Sequence, residues 1–455
     1  MPGPTVGAHA GWNSLKERIG RKLASGSVHA ALKNSLWLVS EKLVNMVLVL
    51  VVNIFVARYL APAGYGELAF ILATVALVAP IGQLGMQGVL VREFVNCPER
   101  ERTILSTAFA FRTAGGLLGL VLLIASVYLF LSSSLEQLGW LLLFGASHLL
   151  NGLQAVDQWY NAKVKARAMV QARTANTALF AFIKIGLVVA EAPVSWIFAA
   201  YALELILQPF AMYLTFYAKA GFNILAEIDW RYGFNLLKSS WWLILSGFAS
   251  IINLKIDQIM LAEMSSMEEV GYYAVAARLS EIWYFIPTVI LSSFFPALLK
   301  VRQRTSGEYN LRLSQFYSVL FWVAALVAVV VSLVAEPVIQ LLYGQAYLQS
   351  AIILEIHVWA GIFIFMRALF SKWLIAENIL KFSLVTHGLG ALVNLVLNYY
   401  MIPVWGGIGA AYATVISYAV ASFFALFCTR ATFPQGLMML KAPFYPVLYL
   451  LMRPR

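Results

Sequence analysis

From Leu36 to Thr429 the chain is a succession of apolar runs, most of them near twenty residues long, separated by short polar breaks. A helix rises about 1.5 Å per residue, so about twenty apolar residues match the ~30 Å hydrocarbon core of a bilayer. In that medium every backbone N–H and C=O must be bonded inside the chain, which leaves helices as the fold for runs of this length. About twelve spans are expected by this criterion. They lie near 36–57, 67–91, 106–131, 138–160, 174–192, 195–217, 241–262, 270–299, 313–335, 351–371, 382–402 and 408–429. The stretch 442–452 is apolar but too short to cross, and reads as interfacial or as the stump of a longer tail. Composition agrees: 61% of the 455 residues are hydrophobic and only 12% charged, against about 25% charged in a soluble domain. The basic N-terminus lacks a cleavable signal pattern, because the apolar run after it is long enough to span.

Lysine and arginine orient the spans. With the N-terminus inside, the inner segments hold Lys16, Arg18, Arg21, Lys22 and Lys33, then Arg92, Arg100 and Arg102, then Lys163, Lys165, Arg167 and Arg173. The pattern continues through Lys219, Arg231 and Lys238, then Lys300, Arg302, Arg304 and Arg312, and on to the tail, whereas the outer loops hold only Arg58. This bias predicts a multi-pass protein of the plasma (inner) membrane with both termini cytoplasmic. It also assigns the net charge of +11 to anionic membrane lipids rather than to nucleic acid. Cys97 and Cys428 make no disulfide framework and lack metal-ligand spacing, so neither a metal site nor a cofactor is expected.

The chain also resembles itself. KNSLWLVS (33–40) aligns with KSSWWLIL (238–245), and from Trp37 to Gly66, as from Trp242 to Gly271, is 29 residues. Proline follows in the next span of each half, at Pro80 and Pro287. Two six-span halves starting on the same side form a parallel repeat about an axis along the membrane normal. The expected fold is an all-α membrane protein with about twelve transmembrane helices in two pseudo-symmetric six-helix lobes around a central cavity. Its parts would be a cytoplasmic segment 1–35, an N-lobe 36–217, a cytoplasmic linker 218–240, a C-lobe 241–430 and an interfacial or cytoplasmic tail 431–455.

Polar residues inside spans are costly and mark functional faces. At 100° per residue, Glu41, Lys42, Asn45 and Asn53 share an arc of about 120° in the first span. His148, Asn151, Gln154 and Gln158 do the same in the fourth, with Asp157 just outside it, and His387, Asn394 and Asn398 fall within about 40° in the eleventh. Arg278 and Glu281 share a face of the eighth span. In the seventh, Ser246, Ser250, Asn253 and Asp257 form one stripe while Lys255 points the opposite way. Lys255 therefore either pairs with a carboxylate or carbonyl of a neighbouring helix or faces the cavity from a rotated one. Arg278, with Lys42, Arg112, Arg367 and Lys255, is a candidate for a cationic cavity that takes a phosphate-bearing cargo, since guanidinium groups grip phosphate bidentately. Asp257, Glu41, Asp157, Glu281, Asn253, Asn394 and His387 are the polar-cavity or ion-coupling candidates, against the alternative that buried carboxylates are structural partners. Arg278 and Glu281, three apart, could simply neutralise each other.

The segment around the first two spans, with ARYLAPAGYG and GMQGVLVRE, resembles bacterial polysaccharide biosynthesis proteins, the O-antigen-type (Wzx-type) lipid-linked oligosaccharide flippases. DQIMLAE, GYYAVAARLSE and PVIQLLYGQAYLQSA fit the same family through the second half. Ala61 stands where the family habitually has glycine. These motifs are more specific to the superfamily of multidrug and polysaccharide exporters than to any one sugar. The resemblance implies a V-shaped transporter rather than an enzyme. It would carry an undecaprenyl-diphosphate-linked oligosaccharide to the outer leaflet by alternating access. It further implies that cationic cavity residues meet the diphosphate, with Arg278 of AARLSE first among them, and that a polysaccharide polymerase and glycosyltransferases work alongside.

The nearest alternative is a cation-coupled multidrug exporter of the same superfamily, which would favour an acidic, aromatic pocket. A membrane-embedded polymerase or glycosyltransferase would need a sizeable external loop, and the loops here are short. An ATP-driven pump is excluded for this chain, because no G-x-x-x-x-G-K-[ST] occurs in it. Residues 15–32 read equally as an amphipathic surface helix or a disordered tail.

Overall fold

Residues 26–130, 134–220, 224, 227–302, 306–377, 379 and 381–445 are described in a computed structural model of the chain. Most of the expected N-terminal surface segment, and residues 446–455 of the tail, lie outside them. The described residues are overwhelmingly helical and contain no strand. The first half contributes α1 (Gly26–Leu77), α2 (Ala79–Gln83), α3 (Gln87–Asn96), α4 (Glu101–Phe130), α5 (Leu135–Gly145), α6 (Ala155–Ala162), α7 (Arg167–Val189) and α8 (Val194–Ala220). The second contributes α9 (Trp230–Met264), α10 (Met267–Glu281), α11 (Phe285–Arg302), α12 (Ser306–Tyr343), α13 (Gln349–His357), α14 (Ala360–Ala376), α15 (Lys381–Ser422) and α16 (Phe433–Lys441).

Nine stretches among the described residues are long and apolar enough to cross a membrane. They do not map one to one onto the twelve expected spans, for two physical reasons. First, α1 has 52 residues and α15 has 42, and a straight helix of 52 would reach about 78 Å, far more than a bilayer. Each is broken where the backbone leaves the helical region. The breaks fall at Ala61 (φ 56°), which precedes Pro62, and at Gly406 (φ 54°), which follows Pro403. A residue before proline is pushed out of the α region, so Ala61 takes the break. Second, the expected fourth span, 138–160, is not one helix. It is α5, a 3₁₀ segment Ala146–Leu150 and α6.

That interruption removes the polar stripe expected there, because a 3₁₀ turn advances about 120° per residue instead of 100°. His148 and Gln158 instead satisfy partners inside the N-lobe. The His148 Nε2 lies 2.9 Å from the Val75 carbonyl oxygen. Pro80, which lacks an N–H, interrupts the second span nearby. Helix α9 begins at Trp230, inside the expected linker, because Asp229 caps it by accepting a 2.9 Å bond from Tyr232 N.

The packing explains the V shape. One buried core joins both halves, drawing on Val52–Val78 of the first and on Ile259–Leu279 and Ala328–Val358 of the second. Away from it the core splits in two. Leu84–Phe111, Ala155–Met169 and Phe216 pack within the N-lobe, and Leu291–Ala324 and Phe365–Phe382 within the C-lobe. At the shared end, Gly66 and Gly271 pass each other closely. A side-chain carbon on Gly66 would overlap the Met267 carbonyl oxygen and come within 2.9 Å of Gly271 N. The Arg58 guanidinium donates across the lobes to the Leu342 and Leu341 carbonyls at 2.7 and 2.5 Å, and the Tyr347 hydroxyl donates to the Ala57 carbonyl at 2.7 Å.

Candidate functional site

Two cavities lie between the lobes, beyond that junction. The one nearer to it has a volume of ≈ 260 Å³ and is lined by Asn53, Tyr65 and Leu72 of α1, Lys255 and Gln258 of α9, and Arg278 and Glu281 of α10. The larger, ≈ 580 Å³, is lined by Glu41, Lys42, Asn45, Met46 and Leu50 of α1 and by Arg278, Glu281, Ile282, Tyr284 and Phe285. They share Arg278 and Glu281. The larger cavity sits between α1 and the end of α10, where the two separate lobe cores take over from the joint one. From Gly271 to Glu281 is about 15 Å of helix, so the pair of charges sits well inside.

Of the five cationic candidates, Lys42, Lys255 and Arg278 line these cavities. Among the described residues none of the three has an ion-pair partner, and Arg278 and Glu281 are not paired with each other. Lys255, which the sequence left between an ion pair and the cavity, lines the cavity. Arg112 and Arg367 are corrections. Arg112 is buried in the N-lobe, donating to Gln158 Oε1 at 2.9 Å, and Arg367 is buried in the C-lobe, donating to the Ala421 carbonyl and to Thr386 Oγ1 at 2.9 and 2.8 Å. Neither lines either cavity. Helical spacing alone could not separate them from Arg278, because a face directed at a sister helix of the same lobe has the same period as one directed at a cavity.

The acidic candidates divide likewise. Glu41 is held by Arg173 of α7 through two bonds, Nε–Oε1 at 2.5 Å and Nη2–Oε2 at 2.8 Å, while Arg173 Nη1 reaches Asp157 Oδ1 at 2.7 Å. One guanidinium therefore ties α1, α6 and α7 together at the cavity's edge. Sequence counting places Arg173 in an inner loop, where nothing marks it as a site residue. Lys184 and Glu204, also charged within spans, form a buried pair joining α7 to α8. Of the carboxylates lining the two cavities, Glu281 has no ion-pair partner among the described residues.

Asp257 is 1% exposed and sits in the C-lobe with no cation beside it among the described residues. Its Oδ1 accepts from Asn394 Nδ2 (3.0 Å) and Asn398 Nδ2 (2.5 Å), and its Oδ2 from the Tyr273 and Thr414 hydroxyls (2.7 and 2.9 Å). A buried carboxylate surrounded only by neutral dipoles is costly unless a cation or proton joins it. Asn398 Oδ1, on a residue 0% exposed, has no hydrogen-bond partner. Asparagine, aspartate and threonine oxygens are ligands of the kind alkali and alkaline-earth cations take, and here the Asn394, Asn398 and Thr414 side chains turn their N–H and O–H groups to the carboxylate. Among the described residues no group of three or more His, Cys, Asp or Glu gathers at one point. Asn253 and His387 do not contact Asp257 through their side chains' bonds. Asn253 Nδ2 donates to the Ala249 and His387 carbonyls, at 3.2 and 3.0 Å, and so fastens α9 to α15. A small void beside Asp257 is lined also by Tyr273, Glu281, Tyr284 and His357. His357, Tyr273 and Thr414 carried no pattern that could have marked them in the sequence.

Comparison with known proteins agrees with this architecture. Residues 55–352 match the family described as polysaccharide biosynthesis protein. The chain is 28% identical over 174 residues to "Probable flippase AglR" of Haloferax volcanii, covering 38% of this chain and 37% of that protein. It is 24% identical over 218 residues to "Putative O-antigen transporter" of Salmonella typhi, covering 46% and 47%. The matched segments thus span less than half the length of either curated relative. Among solved structures, the lipid II flippase MurJ in its inward closed conformation superposes with a TM-score of 0.68 at 17% identity, over 93% of this chain and 94% of that one. The chain belongs to the polysaccharide biosynthesis protein family and shares its fold with the lipid II flippase MurJ.

Proposed function

We propose that the chain is a flippase that moves an undecaprenyl-diphosphate-linked oligosaccharide from the cytoplasmic to the outer leaflet of the plasma (inner) membrane by alternating access. The observation that supports this reading is the set of three cations, Lys42, Lys255 and Arg278, that line two adjoining cavities and have no ion-pair partner among the described residues. Glu281 is the carboxylate of the two cavity linings with no ion-pair partner among the described residues, so three bases against one acid leave a local excess of positive charge suited to a diphosphate. The charge pattern of the loops puts the Gly66–Gly271 junction outside and both termini in the cytoplasm, so the larger cavity would face the leaflet where such lipids are assembled. The diphosphate would sit at Arg278 and the sugar in the cavity, while the lipid tail stays in the bilayer between α1 and α10. Opening the junction would deliver the headgroup outward. Asp257 and its ligands would bind the cation whose gradient drives the cycle. A polymerase and glycosyltransferases are expected neighbours, and the basic inner loops would hold anionic lipids.

The test is depletion of the protein in its host, followed by extraction and leaflet assignment of lipid-linked sugars. Complete diphosphate-linked repeat units should accumulate on the cytoplasmic leaflet and be cleared by wild type but not by Arg278→Ala. Accumulation of incomplete glycans would point instead to an enzyme of assembly. Unchanged lipid-linked sugars, in a host with one flippase, would overturn the reading in favour of drug export.

A further inference from the structure

The register that pairs Trp37 with Trp242 and Gly66 with Gly271 pairs two openings as well. Lys42, Asn45, Met46, Tyr284 and Phe285 line the larger cavity. Their counterparts Gly247, Ser250, Ile251, Ala79 and Pro80 all line a groove of ≈ 410 Å³ between α2–α3 and α9. The charges are not repeated: Glu41, Lys42, Arg278 and Glu281 correspond to Ser246, Gly247, Ala73 and Ala76. Through Gly88 and Leu243 the groove adjoins a second space, also ≈ 410 Å³, lined by Ser239, Trp242, Ser246, Ser371 and Ser383 among others. Of the residues that line the two, Arg92 alone is charged, and Glu93 neutralises it at 3.0 Å. The groove lies where the second span is broken, with Leu84 and Gly85 at φ 53° and 60° between α2 and α3. Backbone that leaves the helix at membrane depth belongs where it is buried in protein or lines a water-filled cavity. Gln83 and Gln87 flank the break, Gln87 Nε2 donating to Gln83 Oε1 at 2.7 Å. That bond leaves the pair an acceptor and donors to offer a guest. On α9, Lys255 of the smaller cavity is followed at four-residue steps by Ile251, Gly247 and Leu243 of the groove. The four share one face over about 18 Å of helix, so the groove prolongs the wall of the Arg278 cavity toward the Trp230 end of α9.

We propose that this groove is the subsite for the sugar chain of the cargo, an uncharged, hydroxyl-rich oligosaccharide. The inference rests on the reading that puts the diphosphate at Arg278. The lipid and its diphosphate take the charged opening between α1 and the end of α10. The first sugars lie in the cavity, and the chain runs on along α9 into the neutral counterpart of that opening. The chemistry of the two openings divides the cargo in the same way. A diphosphate needs bases without an ion-pair partner, which the first opening has. A sugar chain carries many donors and acceptors but no net charge, which suits serines and glutamines able to serve in either sense. Glycine and alanine in the wall leave it room, and the Trp242 ring, 39% exposed, offers a flat face to the C–H side of a pyranose. An acyl chain in the same groove would leave the glutamine amides and serine hydroxyls against hydrocarbon, which is costly. Two openings let a chain longer than the cavity be held without being enclosed.

The experiment uses the full chain in lipid nanodiscs and two probes, undecaprenyl diphosphate and the lipid-linked oligosaccharide purified from the host. In wild type the sugars should lower the Kd about tenfold relative to the bare lipid, the worth of one or two net hydrogen bonds. Ser250→Leu fills the groove, and Gln83→Leu removes an amide from it at similar size. Each should bring the Kd of the glycosylated lipid up to that of the bare lipid. The bare lipid has nothing to place in the groove, so its Kd should stay at the wild-type value, which also shows that a variant folds. Loss of the preference in either variant, with bare-lipid binding intact, supports the subsite. A preference that survives in both, or is absent from wild type, overturns the subsite while leaving the diphosphate at Arg278. The same holds if both variants keep the preference but lose a co-purified phospholipid, which assigns the groove to lipid. Bare lipid that fails to bind wild type, or binds Arg278→Ala equally well, overturns the diphosphate reading and the subsite with it.

Discussion

Gly66 and Gly271, equivalent positions of the two sequence repeats, lie against each other where α1 and α10 pack, so closely that a Cβ on Gly66 would come within 2.9 Å of Gly271 N. The two repeats therefore meet at a pair of residues without side chains. The requirement is close approach rather than backbone conformation, since neither glycine has a positive φ. A side-chain carbon on either would collide with the other lobe's backbone, at Met267 O or at Pro62 O.

Replacing Gly66 with alanine should consequently disfavour the closed junction rather than unfold the protein. Overpacking typically costs about 1–3 kcal/mol, which is roughly a 5- to 150-fold shift between two conformations. A cysteine placed at Tyr65, buried at 7% exposure in wild type, should then label faster with a membrane-impermeant maleimide added outside. Unaltered labelling would mean that the junction does not gate the cavity.

The three buried or half-buried arginines should part company on mutation. Arg278→Ala removes a charge that holds no ion-pair partner among the described residues, so transport should fall while the melting temperature holds. Arg112→Ala leaves Gln158 Oε1 without its donor, and Arg367→Ala does the same to the Ala421 carbonyl and Thr386. An orphaned buried acceptor costs about 1–3 kcal/mol, so both should melt earlier in detergent, with lower yield. Equal stability losses in all three would contradict the division between cavity and packing.

Much of this division was hidden in the sequence, whereas the frame was not. Hydropathy and the repeat specify long helices in two halves, because lipid allows little else. Even the two residues that meet at the junction are marked, by the equal spacing from Trp37 to Gly66 and from Trp242 to Gly271. Helical phase then identifies Lys42, Arg278 and Glu281 on faces that do line the cavities. It fails at His148, where a 3₁₀ turn resets the phase. It fails again at Arg112 and Arg367, whose faces look at sister helices. Asp257 was legible as an interior residue, and Asn394 and Asn398 as a stripe one turn apart. Their meeting was not, because it depends on how α9 and α15 cross.

Sodium should stabilise wild type but not Asp257→Asn. A cation that binds only the folded state adds RT ln(1 + [L]/Kd), about 2.7 kcal/mol at a hundredfold excess over Kd. The melting temperature should rise in sodium chloride relative to choline chloride at equal ionic strength, and the rise should vanish in the variant. Asparagine keeps an acceptor for the Tyr273 and Thr414 hydroxyls, and its NH2 finds acceptors when the Asn394 and Asn398 amides, which now donate to Asp257, turn over to present their oxygens, so the variant should still fold. A rise that survives in Asp257→Asn would place the cation elsewhere.

The Arg173 triad offers a test of packing by charge. Arg173 is 19% exposed in its side chain, Glu41 10% and Asp157 20%, so the three charges are largely shielded from water. Arg173→Gln would leave two carboxylates facing each other across α1 and α6 with no cation between them. Breaking a buried pair in this way costs on the order of 3–5 kcal/mol, most of it from the charge left behind. Removing the carboxylates as well should recover part of the loss. The triple change Glu41→Gln, Asp157→Asn, Arg173→Gln should therefore melt at a higher temperature than Arg173→Gln alone, although it has lost more of the native contacts. Additive losses across the three positions would show that the charges do not act on one another, and that Arg173 holds the N-lobe by its apolar stem.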